Sequence, residues 1–404
     1  MRYDTVIVGG GLTALMCGIE LARNGRSVAL VTTGHSSLHF SSCSLGLYNA
    51  AEPLKAIESL PQSHPYAKLG AEAVESYAAR ATEILNIAGI ATNGTTEANH
   101  YIVTPMGQLR QCWLSLDGAL TSHNGKELDY KSVALFYPEG FLDFYAQFIC
   151  DTLGAMGTTV TSHTFSLPEL VVRRNNQTEM RSIQVARALD KEENLRALAS
   201  IISREAGDVE AVVLPATLGF DHADVRQRLS RMTDKEILYI PTLLTSVEGV
   251  KAERALRRTF ESMGGTIFMG HTAVSHTTEE GLIASVTTSK GITLTAEEFV
   301  LASGSFIGGG LAADREGVTE GVFGADVIVS EGNQTTRDIF EPQPFMSCGV
   351  ATDGNFKVLI GGKAVENLYA CGAILSGYNP VKEGCGAGVA VTTALKVADD
   401  IINR

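Results

Sequence analysis

The N-terminal residues alternate apolar runs with turn residues in a way that predicts a strand, a helix and a second strand. Thr5 to Val8 is a short apolar run rich in β-branched residues, and Gly9-Gly10-Gly11 follows it as a turn. From Leu12 to Asn24 the apolar residues recur at helical spacing, and Gly25 supplies a C-terminal stop. Val28 to Val31 is the next apolar run. The pattern predicts a compact βαβ unit.

Beyond this unit the pattern changes twice. Residues 65–92 have helical spacing, whereas residues 95–240 mix short strand-like and helix-like runs. The chain then returns to alternating helices and strands, and it ends with a strand, a glycine-rich loop and a helix. We predict an α/β fold in which a Rossmann-like domain is built from both chain ends and carries an inserted α+β cap domain. The predicted bounds are 1–94 and 241–404 for the Rossmann-like domain and 95–240 for the cap.

Charge and hydropathy narrow the classes of partner. The 404 residues include 32 Lys and Arg against 45 Asp and Glu, which gives a net charge of −13. This balance argues against a nucleic-acid partner, because an anionic duplex would be repelled. The longest uncharged apolar stretch, Phe299 to Ala313, is shorter than the roughly 20 residues of a membrane-spanning helix and is rich in glycine. With Asp4 at an N-terminus that lacks a signal sequence, we predict a cytoplasmic protein without a transmembrane segment of its own.

The cysteines argue against covalent or metal cross-links. There are seven, an odd number, and no two are spaced as Cys-x-x-Cys. This pattern favours small core side chains over a disulfide framework, a zinc site or an iron–sulfur cluster. We therefore predict no metal ligands.

The turn after the first strand has the glycine spacing of a dinucleotide-binding fingerprint. Gly9 permits the tight turn, Gly11 lets a phosphate approach the backbone, and Ala14 keeps the helix close to the strand. Free N–H groups and the helix dipole then favour an anion at the helix N-terminus. The candidate binding residues are Gly9, Gly10, Gly11, Leu12, Thr13 and Ala14.

Two later segments resemble elements of flavoproteins with two dinucleotide-binding domains. "LASGS", from Leu301, resembles a turn that passes near the cofactor, and "NLYACG", from Asn367, resembles a strand signature that precedes the glycine-rich start of the last helix. The order of these elements resembles the fumarate reductase flavoprotein group and implies a Rossmann-like flavin-binding domain. In such a domain the last helix N-terminus stabilises negative charge on the reduced flavin ring. The implied contacts are Ser303, Gly304, Gly372, Gly384, Cys385, Gly386, Ala387 and Gly388.

One expected cofactor contact is missing. In FAD-binding members an acidic residue at the end of the second strand binds the adenosine ribose, whereas this chain has Thr32 and Thr33 there. Ala373 likewise replaces the acid that usually follows the strand signature. Two interpretations stay open, namely FMN, which has no adenosine, or FAD held by Thr32, Thr33 and main-chain groups. The sequence leans modestly to FMN.

Longer stretches resemble a narrower family. "SLHFSSCSL", "VTPMGQLRQCWLS", "LASGSFIGGGL" and "GYNPVKEGCGAGVAVTTAL" are similar to the B subunits of anaerobic glycerol-3-phosphate dehydrogenases, and the resemblance covers nearly the whole chain. It implies an FMN-carrying subunit that pairs with a catalytic FAD subunit and a membrane-bound iron–sulfur subunit, on the inner face of the cell inner membrane. It also implies that the loop after the second strand lies beside the flavin. The candidate contacts in that loop are His39, Phe40, Ser41, Ser42 and Ser44.

The resemblance implies oxidation of glycerol 3-phosphate to dihydroxyacetone phosphate, with electrons passed to the quinone pool. The sequence shows no Ser-His-Asp set, no HExxH motif and no carboxylates at catalytic spacing, so the catalytic residues stay unassigned. Arg110, Arg254 and Lys382 are candidate phosphate contacts, but each is better explained as an exposed or structural charge. The leading hypothesis is a subunit that relays electrons. The alternatives are a self-sufficient FAD-dependent dehydrogenase or reductase and an assembly subunit with a degenerate flavin site.

Overall fold

The computed structural model describes residues 1–175 and 180–404 and contains two compact units. The first unit comprises Met1–Ser37, Leu45–Ala98 and Glu253–Arg404, so both chain ends contribute to it. The second unit comprises Leu38–Ser44 and Asn99–Ala252. Each unit is described by itself below.

The helices and strands are numbered in chain order. The helices are α1 (Leu12–Arg23), α2 (Pro53–Ile57), α3 (Pro65–Leu69), α4 (Ala71–Ile87), α5 (Ala146–Ala155), α6 (Pro168–Arg174), α7 (Ser182–Leu189), α8 (Glu192–Glu205), α9 (Val225–Thr233), α10 (Val247–Ser262) and α11 (Gly386–Ile402). The strands are β1 (Arg2–Val8), β2 (Val28–Thr32), β3 (Thr92–Asn93), β4 (His100–Val103), β5 (Leu109–Cys112), β6 (Ser115–Leu116), β7 (Thr121–Ser122), β8 (Ser132–Pro138), β9 (Thr159–Phe165), β10 (Ala211–Pro215), β11 (Glu236–Ile240), β12 (Thr266–Met269), β13 (Ala273–Glu279), β14 (Leu282–Thr288), β15 (Thr293–Leu301), β16 (Ala312–Ala313), β17 (Val318–Thr319), β18 (Val327–Ile328), β19 (Gly349–Val350), β20 (Lys357–Ile360) and β21 (Lys363–Ala370).

The first unit is built on a parallel sheet in the order β12-β2-β1-β15-β21. Numbered by appearance in the chain, this is the order 3-2-1-4-5 of a dinucleotide-binding sheet. β14 pairs antiparallel with the first half of β15, and β20 pairs antiparallel with β21. The predicted α/β fold, with a Rossmann-like domain made from both chain ends, is confirmed.

Burial explains why these segments form the central strands. Val6 and Ile7 of β1 and Phe299 to Leu301 of β15 are fully buried, as expected for parallel strands covered on both faces. α1 and α11 pack against each other. Gly18 of α1 allows α10 to approach, because a Cβ atom there would lie 2.9 Å from a ring carbon of Phe260.

The helical segment predicted over residues 65–92 is split in two. Gly70 separates α3 from α4 and has a φ of 85°, a left-handed conformation that ends one helix before the next begins. Arg80 of α4 then bonds to Glu20 of α1 and, at 2.9 Å, to Asp399 of α11. These charged bonds connect three helices of the first unit.

The second unit contains a four-stranded parallel sheet in the order β11-β10-β8-β9. α5 connects β8 to β9, and α9 connects β10 to β11, so the sheet is made of strand–helix–strand connections. All five residues of β10 are buried, which fits its central position. A smaller antiparallel sheet has the order β5-β4-β7.

Candidate functional site

The predicted fingerprint turn joins β1 to α1 at the carboxyl edge of the parallel sheet. Gly9 has a φ of 143°, and a Cβ atom there would lie 2.2 Å from the carbonyl oxygen of Ala302. A Cβ atom at Gly10 would lie 2.4 Å from Thr32 Oγ1. The chain's own packing therefore requires both glycines and holds this turn against the ends of β15 and β2.

The N-terminus of α1 fits an anion. Its cap is Gly11, which has no side chain that could bond to the N–H groups of Leu12, Thr13 and Ala14. A Cβ atom at Gly11 would meet Ser36 Cβ at 3.7 Å, which is ordinary contact, so the cap residue itself is not tightly packed. The helix dipole adds partial positive charge at the same place, and a phosphate is the usual ligand of such a terminus.

Gly372 lies beside this helix N-terminus. Its φ is 76°, and a Cβ atom there would lie 2.2 Å from Thr13 Oγ1. Its N–H donates to Thr393 Oγ1 of α11 at 2.9 Å. The end of β21 is thus fixed between α1 and α11, and Gly372 is brought next to the fingerprint residues.

The turn after β15 carries Ser303 and Gly304. Gly304 has a φ of 83°, and the turn is closed by a hydrogen bond of 3.0 Å from the Gly310 N–H to the Ser305 carbonyl. The Ser303 hydroxyl is buried and has no hydrogen-bond partner among the residues that the structure describes. A buried hydroxyl without a partner costs free energy, so this atom fits a polar group of a bound cofactor.

The glycine-rich loop before α11 packs on the segment that starts at Gly46. The Gly388 N–H donates to the Gly46 carbonyl at 2.9 Å. A Cβ atom at Gly388 would lie 2.1 Å from the Tyr66 hydroxyl, and one at Gly46 would lie 1.9 Å from the Gly384 carbonyl. Gly46 needs glycine because its backbone lies against that of Gly384, and Gly388 needs glycine because it lies against the Tyr66 hydroxyl.

The start of α11 offers a second helix N-terminus. Cys385 is the cap residue and makes no side-chain cap hydrogen bond. The N–H groups of Gly386 and Ala387 follow it directly. The first turn of α11 therefore places positive partial charge where the sequence predicts the flavin ring.

At the end of β2 the structure supplies a carboxylate that the sequence interpretation missed. Glu253 of α10 accepts hydrogen bonds from the Ser36 N–H at 2.8 Å and the Ser36 hydroxyl at 2.5 Å. It also contacts His35 Nδ1 at 2.8 Å and Arg257 at 3.0 Å. The Glu253 side chain is 1 % exposed. Burial alone raises the pKa of this carboxyl, but the hydrogen bonds from Ser36 and His35 outweigh burial and leave the pKa below its usual value.

A signal for Glu253 exists in the sequence. With Leu256 and Phe260 it forms a buried stripe at helical spacing, so a charged residue stands where α10 presents its apolar side. A charge in such a stripe indicates a buried partner. The partners, His35 and Ser36, lie more than two hundred residues earlier in the chain, so the pattern could not name them.

The two threonines at the end of β2 have different surroundings. Thr32 is buried, and its hydroxyl donates to the Gly34 carbonyl at 3.0 Å. Arg257 donates to the same carbonyl at 3.1 Å. Thr33 is exposed. The Thr32 hydroxyl proton is therefore used inside the loop, and cofactor binding by either threonine stays a prediction.

The loop residues predicted to contact the flavin belong to the second unit. Ser41 Oγ accepts a hydrogen bond from the Cys43 N–H at 3.0 Å, and Ser42 Oγ lies 3.2 Å from Ser44 Oγ. The His39 carbonyl accepts from the Ser246 N–H at 2.8 Å, and the Phe40 side chain is exposed. The serine hydroxyls thus stabilise the turn of their own loop, and their role in cofactor binding stays a prediction.

Comparison with known proteins decides the family. The family described as FAD binding domain matches residues 4–389. A Pectobacterium atrosepticum protein, named as the B subunit of anaerobic glycerol-3-phosphate dehydrogenase, is 38 % identical over 422 residues, which cover 100 % of this chain and 99 % of that protein. Proteins of the same name from Yersinia enterocolitica and Actinobacillus succinogenes are 37 % and 34 % identical, with the same coverage. The chain belongs to the family of anaerobic glycerol-3-phosphate dehydrogenase B subunits.

Solved structures of similar fold are more distant. A 3-ketosteroid Δ1-dehydrogenase from Sterolibacterium denitrificans is 11 % identical with a TM-score of 0.46, over 100 % of this chain and 99 % of that one. A chain of the E. coli quinol fumarate reductase is 9 % identical with a TM-score of 0.45, over 100 % of this chain and 70 % of that one.

Membership in this family confirms three predictions. The sequence resemblance is correct, the Rossmann-like domain is a flavin-binding domain, and the chain is an oxidoreductase subunit. The relatives' name, which designates one subunit among others, implies a complex of several chains. Across the described residues, no helix has the length and apolar character needed to cross a bilayer.

Proposed function

We propose that this chain is the flavoprotein subunit that relays electrons within a quinone-linked anaerobic glycerol-3-phosphate dehydrogenase. It would take electrons from a catalytic FAD subunit and pass them to a membrane-bound iron–sulfur subunit. The observation that carries the flavin part is the uncapped N-terminus of α1, with the partnerless Ser303 hydroxyl in the same unit. The relatives' shared name supports the reaction, the oxidation of glycerol 3-phosphate to dihydroxyacetone phosphate.

Each part of the site has a separate task in this proposal. The N–H groups at the start of α1 hold the flavin phosphate, and the Ser303 hydroxyl bonds to a polar atom of the cofactor. The start of α11 stabilises negative charge on the reduced ring. A bound flavin would supply the electron-carrying group, which the side chains of this chain do not offer.

The surroundings of the cysteines support transfer to another subunit. Cys150 is half-buried, the other six are buried, and all seven are free thiols. Iron–sulfur clusters are held by sets of cysteine thiolates, and the spacing of these residues supplies no such set. In this proposal the electrons that leave the flavin pass to a different chain, the iron–sulfur subunit, and the partners place this chain at the inner face of the membrane.

The region of Glu253 favours FMN over FAD in this proposal. Each carboxylate oxygen of Glu253 already has two partners, Ser36 twice on one and His35 and Arg257 on the other. A carboxylate with four contacts has no lone pair left for the two hydroxyls of an adenosine ribose. The single phosphate of FMN would fit the N-terminus of α1, which has no side-chain cap.

The experiment is to purify the chain, denature it and identify the released flavin by chromatography and mass. About one FMN per chain supports the proposal. The same preparation is then assayed with glycerol 3-phosphate and an artificial electron acceptor, before and after addition of the catalytic subunit. Reduction of the bound flavin that requires the catalytic subunit supports the relay, whereas full-rate oxidation by this chain alone would overturn it.

A self-sufficient FAD-dependent dehydrogenase is the second candidate, because the matching family is described as an FAD binding domain. It predicts released FAD and direct reduction of the flavin by a small organic substrate. Arg110 and Lys382, considered above for a substrate phosphate, are exposed on β5 and before α11, which does not favour a built substrate site. A chain without flavin after reconstitution with its partners would instead indicate an assembly subunit.

A further inference from the structure

A second acidic side chain, Glu383, lies one residue before the glycine-rich start of α11 and is held by a buried histidine. Glu383 Oε2 lies 2.9 Å from His64 Nε2, and Glu383 Oε1 accepts the Asn379 N–H at 3.0 Å. His64 is 2 % exposed, and the Glu383 side chain is 20 % exposed. The carboxylate is thus fixed in position but keeps an open side.

The position of the His64 ring proton follows from its other nitrogen. The Tyr66 N–H donates to His64 Nδ1 at 3.0 Å, so Nδ1 carries a lone pair and the proton is on Nε2. His64 therefore donates to the Glu383 carboxylate. Tyr66 also donates its hydroxyl proton to the Leu47 carbonyl at 2.8 Å, which fixes the residue that orients the ring.

The same proton argues against a metal ion. His64, Glu383 and Cys385 each offer a ligand atom, and these atoms lie within 4.8 Å of one another. A metal bound at Nε2 would move the ring proton to Nδ1, where it would point at the Tyr66 N–H. The geometry fits a hydrogen-bonded carboxylate better than a metal site.

The groups that face Glu383 supply no permanent positive charge. They are His64, the Cys385 thiol and the hydroxyls of Tyr48, Tyr66 and Tyr378, and the neighbouring Lys382 is exposed. Burial raises the pKa of the Cys385 thiol, and it also raises the pKa values of the three tyrosines, so all four are uncharged at neutral pH. Burial alone would raise the pKa of Glu383 as well, but the hydrogen bonds from His64 and Asn379 outweigh it and lower the pKa.

We propose that Glu383, oriented by His64, is a fixed negative charge beside the flavin ring and lowers the midpoint potential of the flavin. Its charge opposes the positive end of α11, which stabilises the reduced ring. Glu383 acts on the flavin through its charge, and His64 is the positioning residue that orients it. Together the two residues lower the midpoint potential of the flavin. This inference rests on the proposed flavin site at the Gly384–Gly388 loop.

The test is a spectroelectrochemical titration of the flavin in the full chain and in Glu383→Gln, which removes the charge and keeps the shape. We expect the variant to bind reduced flavin at least about tenfold better relative to oxidised flavin, which raises the potential by roughly 30 mV for a two-electron couple. Glu261→Gln, an exposed change in the last turn of α10, removes the same charge as a control and should leave the potential unchanged.

Two His64 variants separate charge from structure. His64→Gln can still accept from the Tyr66 N–H and donate to Glu383, so its potential should equal that of the unchanged chain. His64→Leu removes one of the donors to Glu383 and keeps the Asn379 N–H, so protonation of Glu383 begins at higher pH. The potential then rises above that of the wild-type chain as the pH is lowered. A purely structural role predicts no such pH-dependent difference.

The outcomes distinguish this inference from the proposed function. If the wild-type chain binds no flavin, both the proposed function and this inference are overturned. Bound flavin with the same potential in Glu383→Gln and in the unchanged chain would overturn the inference and leave the flavin site standing. If Glu383→Gln fails to fold, the comparison of His64→Leu with His64→Gln decides by the same measurement.

Discussion

Glu253 and Glu383 are two carboxylates held by histidines at the carboxyl edge of one sheet, and their surroundings differ. Glu253 lies in the second turn of α10, is 1 % exposed and has all four contact positions filled by Ser36, His35 and Arg257. Glu383 precedes α11, is 20 % exposed and faces uncharged phenols and a thiol on its other sides. An acid that is fully bonded within the protein stabilises a loop. A carboxylate that is partly exposed can exert its charge on a ligand that binds beside it.

The largest effect is expected from Gly9→Ala, which would damage the turn between β1 and α1. The φ of 143° is strained for alanine, and its Cβ atom would lie 2.2 Å from the Ala302 carbonyl. We expect the free energy of unfolding to fall by at least about 2 kcal/mol and the purified chain to contain no flavin. Urea denaturation and flavin content are the measurements.

Gly321→Ala is the matched control for Gly9→Ala. Gly321 belongs to the same unit, has no strained φ, and a Cβ atom there would meet no described atom within 4 Å. It should leave both stability and flavin content unchanged. A Gly9→Ala chain with normal stability would mean that the turn is not packed as described.

The second effect, smaller than the first, is a loss of stability when the fully hydrogen-bonded carboxylate of Glu253 is replaced. Glu253→Gln places an amide where Ser36, His35 and Arg257 all donate, so some of these donors lose their acceptor. We expect a loss of about 2 kcal/mol in the free energy of unfolding at pH 7. Glu261→Gln, an exposed change on the same helix, should stay within roughly 0.5 kcal/mol of the unchanged chain.

The pH dependence of the Glu253→Gln effect follows from its lowered pKa. Because the folded chain holds Glu253 with a pKa below the unfolded value of about 4.3, its contribution is complete above that value. The contribution is lost as the pH falls through the folded pKa. The stability gap between the variant and the unchanged chain should therefore close in acid, and a gap that stays constant down to about pH 3 would contradict the assignment.

The third effect is expected from Gly11→Ala, which should weaken flavin binding while leaving the stability of the chain nearly unchanged. Gly11 has an extended backbone that alanine adopts, and a Cβ atom there would make ordinary contact with Ser36 at 3.7 Å. Stability should change by less than about 1 kcal/mol. The methyl group would stand where a phosphate approaches α1, so we expect flavin affinity to fall at least about tenfold, or about 1.4 kcal/mol. Unchanged affinity in a fluorescence titration would place the phosphate elsewhere.

Local patterns could predict the fold and part of the site. The β1–α1 turn can be predicted because Gly9, Gly11 and Ala14 lie within six residues, and their structural roles depend on near neighbours in the chain. The two carboxylate–histidine pairs cannot be predicted in this way. His35 and Glu253 are 218 positions apart, and His64 and Glu383 are 319 apart. Only the fold brings such partners together, and the missing acid at Thr32 and Thr33 gave no indication that Glu253 reaches the same loop.

The smallest effect is expected from Thr33→Glu, which restores an acid at the end of β2. Thr33 is exposed, so a glutamate there would be free to bind a ribose, unlike Glu253. A single hydrogen bond contributes about 0.5–1.5 kcal/mol, so the affinity for FAD relative to FMN should rise roughly three- to tenfold. Competition between the two flavins on the reconstituted chain measures this ratio. Thr33→Gln has the same length without the charge and should change the ratio less, and an equal change in both variants would mean that the charge does not contact the ribose.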